Sequence, residues 1–318
     1  MSKTAVVLFN LGGPDSLAAV EPFLFNLFSD PDIFKIPFFG TQFARLISKF
    51  RAPKVVRQYQ EIGGSSPINR WTEIQRRMLE IELKKINSEI DVYTGMRYWT
   101  PLISLTASQI YSKGYDEIIL LPLYPHYSIS TTGSSFNEWT RFYFDDPKKV
   151  KKINNYCTDE NYINAVNQRI DAGLKRFTED DKVELVFSAH GVPVSYIKNG
   201  DPYNKHITST VEAIMSKRNH SHAYHLCYQS KVGPVKWLEP STEQMLEKLG
   251  SDGTKNVLVI PISFVSDHIE TLYEINIEYR EIAMMSGIKK FEMTEGLNDS
   301  ELFIKSLKEL VLNTMEKN

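Results

Sequence analysis

Short apolar runs alternate along the chain with longer stretches in which apolar residues recur every three or four positions. The short runs are rich in Val, Ile and Leu. They predict strands at 5–11, 91–96, 117–122, 150–154, 183–188, 223–228, 256–261 and 289–293. The periodic stretches predict helices over 72–86, 101–113, 161–177, 202–218, 242–249, 267–285 and 300–315. Such alternation predicts an α/β protein with a mostly parallel sheet. Eight strands also suit a closed barrel. Two four-stranded halves are preferred, because Ile118-Ile-Leu-Leu-Pro-Leu-Tyr-Pro125 and Val257-Leu-Val-Ile-Pro-Ile-Ser-Phe264 are alike. Each is a buried strand that breaks at a proline and runs into a serine-containing loop. The expected architecture is a pair of similar doubly wound, Rossmann-like halves with parallel sheets, 1–155 and 156–318. The polar stretch Asp145-Asp-Pro-Lys-Lys-Val-Lys-Lys152 makes the crossing, and the last helix packs back on the first half. Ligands of such folds bind at the carboxyl ends of strands.

Composition narrows the chemistry. With 318 residues and 42% hydrophobic content the chain buries a sizeable core, which excludes disorder. Two cysteines exclude a disulfide scaffold and a cysteine-ligated zinc or iron–sulfur site. A formal charge of −2 without a basic stripe argues against nucleic acid as a partner. No apolar stretch approaches the roughly 20 residues of a spanning helix. The run at 5–11 is too short for a secretory signal. A soluble, cytoplasmic protein is expected. The 17 Phe, 16 Tyr and 4 Trp suggest a large apolar ligand or a greasy surface, core packing being the plainer reading.

Candidate chemistry sits at the strand ends. The first strand ends in Asn10-Leu-Gly-Gly-Pro-Asp15. Its glycines either let a ligand approach the backbone or make a tight turn, and taken alone the turn is the better reading. No dinucleotide or Walker pattern occurs. Ser188-Ala-His-Gly-Val-Pro193 delivers His190 to a strand end, as a base, a metal ligand or a ring satisfied by a backbone carbonyl. Farther on, Glu270, Glu274 and Glu278 fall on one helical row, with no basic residue at Ser266 or Ile282 to relieve their repulsion. Facing a cavity, this row suits cation delivery or proton removal; facing solvent, it is a surface. Asp267 suits a helix cap. One imidazole and one carboxylate, His190 and Glu270, would make an open site for a divalent transition metal in passage.

In the first half, Pro122-Leu-Tyr-Pro-His-Tyr-Ser-Ile-Ser-Thr-Thr-Gly-Ser-Ser135 offers hydroxyls and N–H groups to anions. Ser135 and Glu138 predict a capping box for the next helix. Arg97 provides a carboxylate-binding guanidinium beside Tyr98 and Trp99. His220, His222 and His225 look like a metal cluster but lie at the start of a strand, on the wrong edge. Six of the 17 Phe lie in 23–39, a stretch that reads as core helix, as a lip around a cleft, or as a surface dipping into a bilayer. Trp237 adds a ring in a loop after a strand.

Together these stretches resemble the ferrochelatase family, whose members insert ferrous iron into a porphyrin in haem synthesis. The likeness runs through Leu8-Phe-Asn-Leu-Gly-Gly-Pro14, Tyr59-Gln-Glu-Ile-Gly-Gly-Ser-Ser-Pro67, Gly95-Met-Arg-Tyr98, the 124–135 loop, Ser188-Ala-His-Gly-Val-Pro193, Tyr228-Gln-Ser-Lys-Val-Gly-Pro234 and Phe264-Val-Ser-Asp-His-Ile-Glu-Thr-Leu-Tyr-Glu274. The last is the most specific. The resemblance implies a chelatase fold with the porphyrin between the halves, and His190 and Glu270 as the metal-site pair. It implies Glu274 and Glu278 as a carboxylate relay. Leu11, Ser66, Arg97, Tyr98, Tyr124, Ser130, Trp237, Phe264, Asp267 and His268 fall where the family lines its porphyrin cleft. Residues 23–39 match an apolar lip. That lip implies peripheral contact with the inner face of the membrane and handover from the preceding oxidase of the pathway. Protoporphyrin IX and Fe²⁺ are the implied substrates, with no permanently bound cofactor. Ile129 stands where mitochondrial members carry a cluster cysteine, and no cysteine follows Cys227, so no [2Fe–2S] cluster is expected. The alternatives are a chelatase for another metal or tetrapyrrole, such as cobalt or coproporphyrin, and a haem carrier without turnover.

Overall fold

The computed structural model describes residues 3–33, 40–230 and 235–316. In chain order the elements are β1 (Thr4–Asn10), α1 (Val20–Phe28), α2 (Gly40–Glu61), α3 (Ile68–Lys84), β2 (Ile90–Met96), α4 (Ile103–Lys113), β3 (Glu117–Pro122), α5 (Ser134–Phe142), β4 (Val150–Lys152), α6 (Glu160–Leu174), β5 (Val183–His190), α7 (Val194–Lys198), α8 (Tyr203–Lys217), β6 (Tyr224–Gln229), α9 (Thr242–Ser251), β7 (Asn256–Pro261), α10 (Arg280–Met285), β8 (Lys290–Met293) and α11 (Glu301–Glu316). Two π-helical segments, Ile129–Gly133 and Glu270–Tyr279, run directly into α5 and α10.

The chain forms two compact units, Met1–Asn155 with Ile304–Asn318, and Tyr156–Phe303. Each holds one parallel four-stranded sheet, ordered β2-β1-β3-β4 in the first and β6-β5-β7-β8 in the second. Two separate sheets rule out the closed barrel. The sheets match in detail. Phe9 pairs with Pro122, as Ser188 pairs with Pro261. One step on, the Leu123 N–H donates to the Phe9 carbonyl at 2.8 Å, and the Ile262 N–H to the Ser188 carbonyl at 3.0 Å. By this register Leu11 occupies the strand-end slot in the first unit that His190 occupies in the second.

Helices cover both faces of each sheet, so the central strands read as continuous apolar runs. Every residue of β1 is buried. Phe9, Ile103, Leu120, Phe136 and Trp139 belong to one core cluster of the first unit. Val186, Leu246, Val257, Ile275 and Phe291 belong to one of the second. At about 1.5–3 kcal/mol per large apolar side chain, such burial holds the strand ends where the chemistry is displayed. The first unit is completed by α11, whose Leu307 and Val311 are buried. Its Lys308 pairs with Glu82 at 3.2 Å.

The helices show where periodicity misleads. Helix α1 is anticipated only as one reading of 23–39, and α2 is not predicted. In α2 the small residues Ala44, Ser48 and Ala52 face inward while Phe43, Leu46 and Phe50 face out, and Pro53 lies inside the helix. Its hydrophobic pattern is thus inverted. The expected lip at 23–39 divides. Phe23, Leu24 and Phe28 are buried in α1, and 34–39 lie outside the described residues. The capping box at Ser135 and Glu138 does not form, because Ser135 lies inside a continuous helix. Ser128 is the cap, accepting from the Ser130 N–H. The helix expected from 267 starts at Glu270 and is π-helical through Tyr279. Asp267 does not cap it; Ile269 is the N-cap, without a side-chain bond.

Candidate active site

In the second unit, β5 ends at His190, held from three sides. Its N–H donates to Ser263 Oγ at 2.9 Å, its carbonyl accepts from the Tyr203 hydroxyl at 2.9 Å, and Tyr203 and Ser263 bond each other at 2.7 Å. The ring Nδ1 lies 2.6 Å from the Gly191 carbonyl. A carbonyl only accepts, so the proton sits on Nδ1 and the Nε2 lone pair is open. Nε2 lies 3.7 Å from Glu270 Oε2, with side-chain exposures of 36% and 24%. That separation exceeds a hydrogen bond. It fits a first-row cation bound at about 2 Å by each atom.

The carboxylate row lies on the π segment. A turn closed by i→i+5 bonds is wider than 3.6 residues. It reverses the drift of residues four apart and keeps Glu270, Glu274 and Glu278 along one side. Glu274 is fully engaged. It accepts from the Ser230 N–H at 2.9 Å, the Ser230 hydroxyl at 2.7 Å and the Tyr279 hydroxyl at 2.7 Å. Burial, then the Glu274 charge, hold the Tyr279 phenol protonated, its pKa far above the usual value. Ser230 also lies 3.3 Å from Glu270 Oε2. It occupies the left-handed region at φ 65°, a strained backbone for serine. Glu278 is half-buried. Among the described residues, no group of three or more His, Cys, Asp or Glu converges on one point. The His190–Glu270 pair therefore leaves most of a cation's coordination sphere open.

Around the pair, the Phe264 and His268 rings meet edge to face at 4.4 Å, and Phe264 lies 6.2 Å from the His190 ring. His268 is buried, and burial lowers its pKa. Its Nδ1 donates to the Ser266 carbonyl at 3.1 Å, and Nε2 has no hydrogen-bond partner among the described residues. Trp237 lies over Gly191, where an added Cβ would meet its ring at 3.2 Å and the Gln229 carbonyl at 2.8 Å. Residues 231–234 of the Tyr228–Pro234 motif lie outside the described residues.

The first unit treats its polar strand end differently. Arg97 and Tyr98 face inward. Arg97 pairs with Asp30 at 2.9 Å, the two side chains 9% and 0% exposed, and donates to Ser134 Oγ at 2.7 Å. Tyr98 and Ser134 each donate to the other Asp30 oxygen at 2.6 Å. The guanidinium expected to hold a ligand carboxylate is thus already paired inside the protein. Gly12 takes φ 76°, and a Cβ on Gly13 would lie 2.5 Å from Ser66. The glycine turn makes room for protein, as its plainer reading holds. Ser66 is buried, while Leu11, Tyr124 and Ser130 are half-buried. Burial raises the Tyr124 phenol pKa. The histidine cluster also dissolves: His225 bonds Glu184 at 2.7 Å, while His220 lies 3.6 Å from Glu212.

Ser230, Asp30, Tyr203 and Tyr279 were not assigned from sequence. Ser230 sat inside a quoted motif and Asp30 inside the 23–39 stretch; neither carried a signal of its partner.

Comparison with known proteins bears on the fold and the family. The solved structure of SirB from Bacillus subtilis with Fe³⁺ aligns over 99% of this chain and 96% of its own, with a TM-score of 0.56 at 11% identity. CbiX, the terminal enzyme of sirohaem biosynthesis in denitrifying bacteria, aligns over 98% of both chains with a TM-score of 0.54 at 9% identity. These likenesses establish a shared fold. A ferrochelatase from Geotalea daltonii is 48% identical over 317 residues, covering 97% of each chain. One from Gloeobacter violaceus is 44% identical over 322 residues, covering 99% of this chain and 98% of its own. The family model for ferrochelatase matches residues 3–315, and the chain belongs to the ferrochelatase family.

Proposed function

We propose that the chain inserts Fe²⁺ into protoporphyrin IX, releasing two protons and forming protohaem, the last step of haem synthesis. The observation that carries this reading is the open His190–Glu270 pair in a chain of this family. Metallation replaces two pyrrole N–H bonds with bonds to iron. His190 Nε2, with its lone pair exposed, accepts a pyrrole proton or ligates the incoming iron. Glu270 is its partner, and Glu274 and Glu278 continue as a path for metal or protons. Ser230 and Tyr279 hold the Glu274 carboxylate in place through three hydrogen bonds. Leu11, Ser66, Tyr124 and Ser130, and Trp237, Phe264 and His268, are assigned to the macrocycle and its acidic arms; Asp267, turned to the loop after β8, supports the Phe264–His268 loop instead. Arg97 and Tyr98 support that surface through Asp30. Binding energy from rings and apolar side chains can bend the macrocycle and expose its nitrogens. Anaerobic Fe²⁺ with protoporphyrin tests the reading: free-base visible bands should convert to those of haem. Binding of haem without turnover would overturn it.

Membrane contact belongs to the same proposal, with its surface moved to α2. Phe50 is 84% exposed, Leu46 and Phe43 share its face, and Arg45, Lys49, Lys54 and Arg57 are exposed around it. Apolar rings flanked by cations suit the headgroup region of an anionic bilayer at the inner face. Among the described residues no helix is long and apolar enough to cross it. Docking there would let the chain receive porphyrin directly from the preceding oxidase. Co-flotation with anionic but not neutral vesicles, lost in Phe50→Ala/Leu46→Ala, is the expected result.

A further inference from the structure

The loop after β7 carries Phe264, Asp267 and His268, yet Asp267 does not cap the helix that follows. Its carboxylate turns to the loop after β8. Asn298 Nδ2 donates to Asp267 Oδ2 at 2.7 Å, and the Asp267 N–H donates back to Asn298 Oδ1 at 3.0 Å. The Asn298 N–H donates to the Val265 carbonyl at 2.9 Å. Asn298 is buried and sits in the left-handed region at φ 43°, which asparagine tolerates better than most residues. Beside it, the Gly296 N–H lies 3.2 Å from each Asp267 oxygen, and a Cβ on Gly296 would come within 2.9 Å of the Asp267 nitrogen. Thr271 Oγ1 donates to Asp267 Oδ1 at 3.1 Å. That last bond ties the clasp to the first turn of the π segment, next to Glu270.

We infer that Asn298 is a positioning residue: its reciprocal clasp with Asp267 holds the Phe264–His268 loop in register with the His190–Glu270 pair. This rests on the chelatase reading above. Asn298 does not touch reacting atoms; it acts through the loop. The clasp has a polarity. Asp267 is an acceptor without a side-chain donor, so position 298 must supply an N–H. Asn298→Asp keeps size and shape but sets carboxylate against carboxylate. Exchanging the two residues, Asp267→Asn with Asn298→Asp, lets the new amide at 267 donate to the new carboxylate at 298. The second carboxylate oxygen at 298 still accepts the backbone N–H of 267.

Wild type, His190→Ala, Asn298→Ala, Asn298→Asp and the exchanged pair are compared in anaerobic iron insertion, well below the lowest melting midpoint. Hydrogen exchange of the 265–268 amides is followed in parallel. In Asn298→Asp, kcat should fall about tenfold or more, the porphyrin KM should stay within about twofold, and exchange at 265–268 should quicken. The exchanged pair should recover most of kcat and the slow exchange. Single variants that keep wild-type kcat overturn the inference. So does an exchanged pair that regains thermal stability but not kcat, because the role is then only structural. Wild type as inactive as His190→Ala would strike the chelatase reading instead. Even then, unchanged exchange at 265–268 in Asn298→Asp would overturn the clasp on its own.

Discussion

At the end of β1 the chain places Leu11; at the matching end of β5 it places His190. Beside Leu11, Arg97 and Tyr98 turn inward and meet a buried carboxylate, Asp30. Beside His190, Ser230 turns to Glu274, and the imidazole Nε2 is left facing Glu270 with nothing bonded between them. Strand order and register are shared, so backbone geometry does not separate the two outcomes. What separates them is whether a counter-charge within the same unit consumes the polar strand end. Where Asp30 is present, Arg97 and Tyr98 are already paired inside the unit. Beside His190 the carboxylate, Glu270, stands 3.7 Å off, beyond hydrogen-bond reach, and among the described residues no closer group takes Nε2.

The comparison breaks most visibly at the histidine. His190→Ala should lower iron insertion about 10²–10⁴-fold, the usual contribution of a positioned base. Leu11→Ala, at the matching slot, should raise the porphyrin KM a few-fold and spare kcat. Steady-state anaerobic kinetics separate them, and equal losses of kcat would erase the distinction between the units. Asp30→Ala comes next. It strips Arg97 of its nearest counter-charge in a buried site, and unfolding in urea should show a loss of about 3 kcal/mol. Removing the cation as well, in Asp30→Ala/Arg97→Leu, should restore much of it. If Arg97 instead binds a porphyrin carboxylate, Asp30→Ala melts normally and the porphyrin KM rises.

Smaller effects sharpen the turns. Gly13→Ala forces a Cβ to within 2.5 Å of Ser66 and should destabilise by about 1–3 kcal/mol, read in the same urea titration. Burial pushes the Cys227 thiol up to about 12, so its thiolate is scarce at neutral pH. Maleimide should label Cys227 only after unfolding. Least of all, His222→Ala should change stability by no more than about 0.5 kcal/mol and leave turnover intact. A larger effect would revive the histidine cluster as a site.

Much of the frame was legible. All eight strands fall where apolar runs end at proline, glycine or a polar turn, and β3 and β7 match their predicted limits. Burial on both faces makes such runs conspicuous. Helix α2 was illegible for the opposite reason: over its first three turns the inward face is Ala and Ser, while Phe43, Leu46 and Phe50 point out. His190 and Glu270 were legible because a strand end and a helix start each display one residue. The Arg97–Asp30 pair was not legible, because a guanidinium beside rings looks the same whether its partner is a ligand or an aspartate far along the chain. Tyr98 meets that aspartate across 68 residues. The Asp267–Asn298 clasp spans 31 and carries no local pattern.

The discontinuity of the first unit bears on synthesis. Its closing helix, with Leu307 and Val311 packed inside and Lys308 reaching Glu82, follows the whole of the second unit in the chain. On the ribosome, the second unit emerges entire while the first still waits for its last helix. A nascent chain must therefore carry an unfinished apolar surface for the length of an entire half. Truncations before 304 should yield a protein whose amino-terminal half aggregates although every strand of its sheet is present.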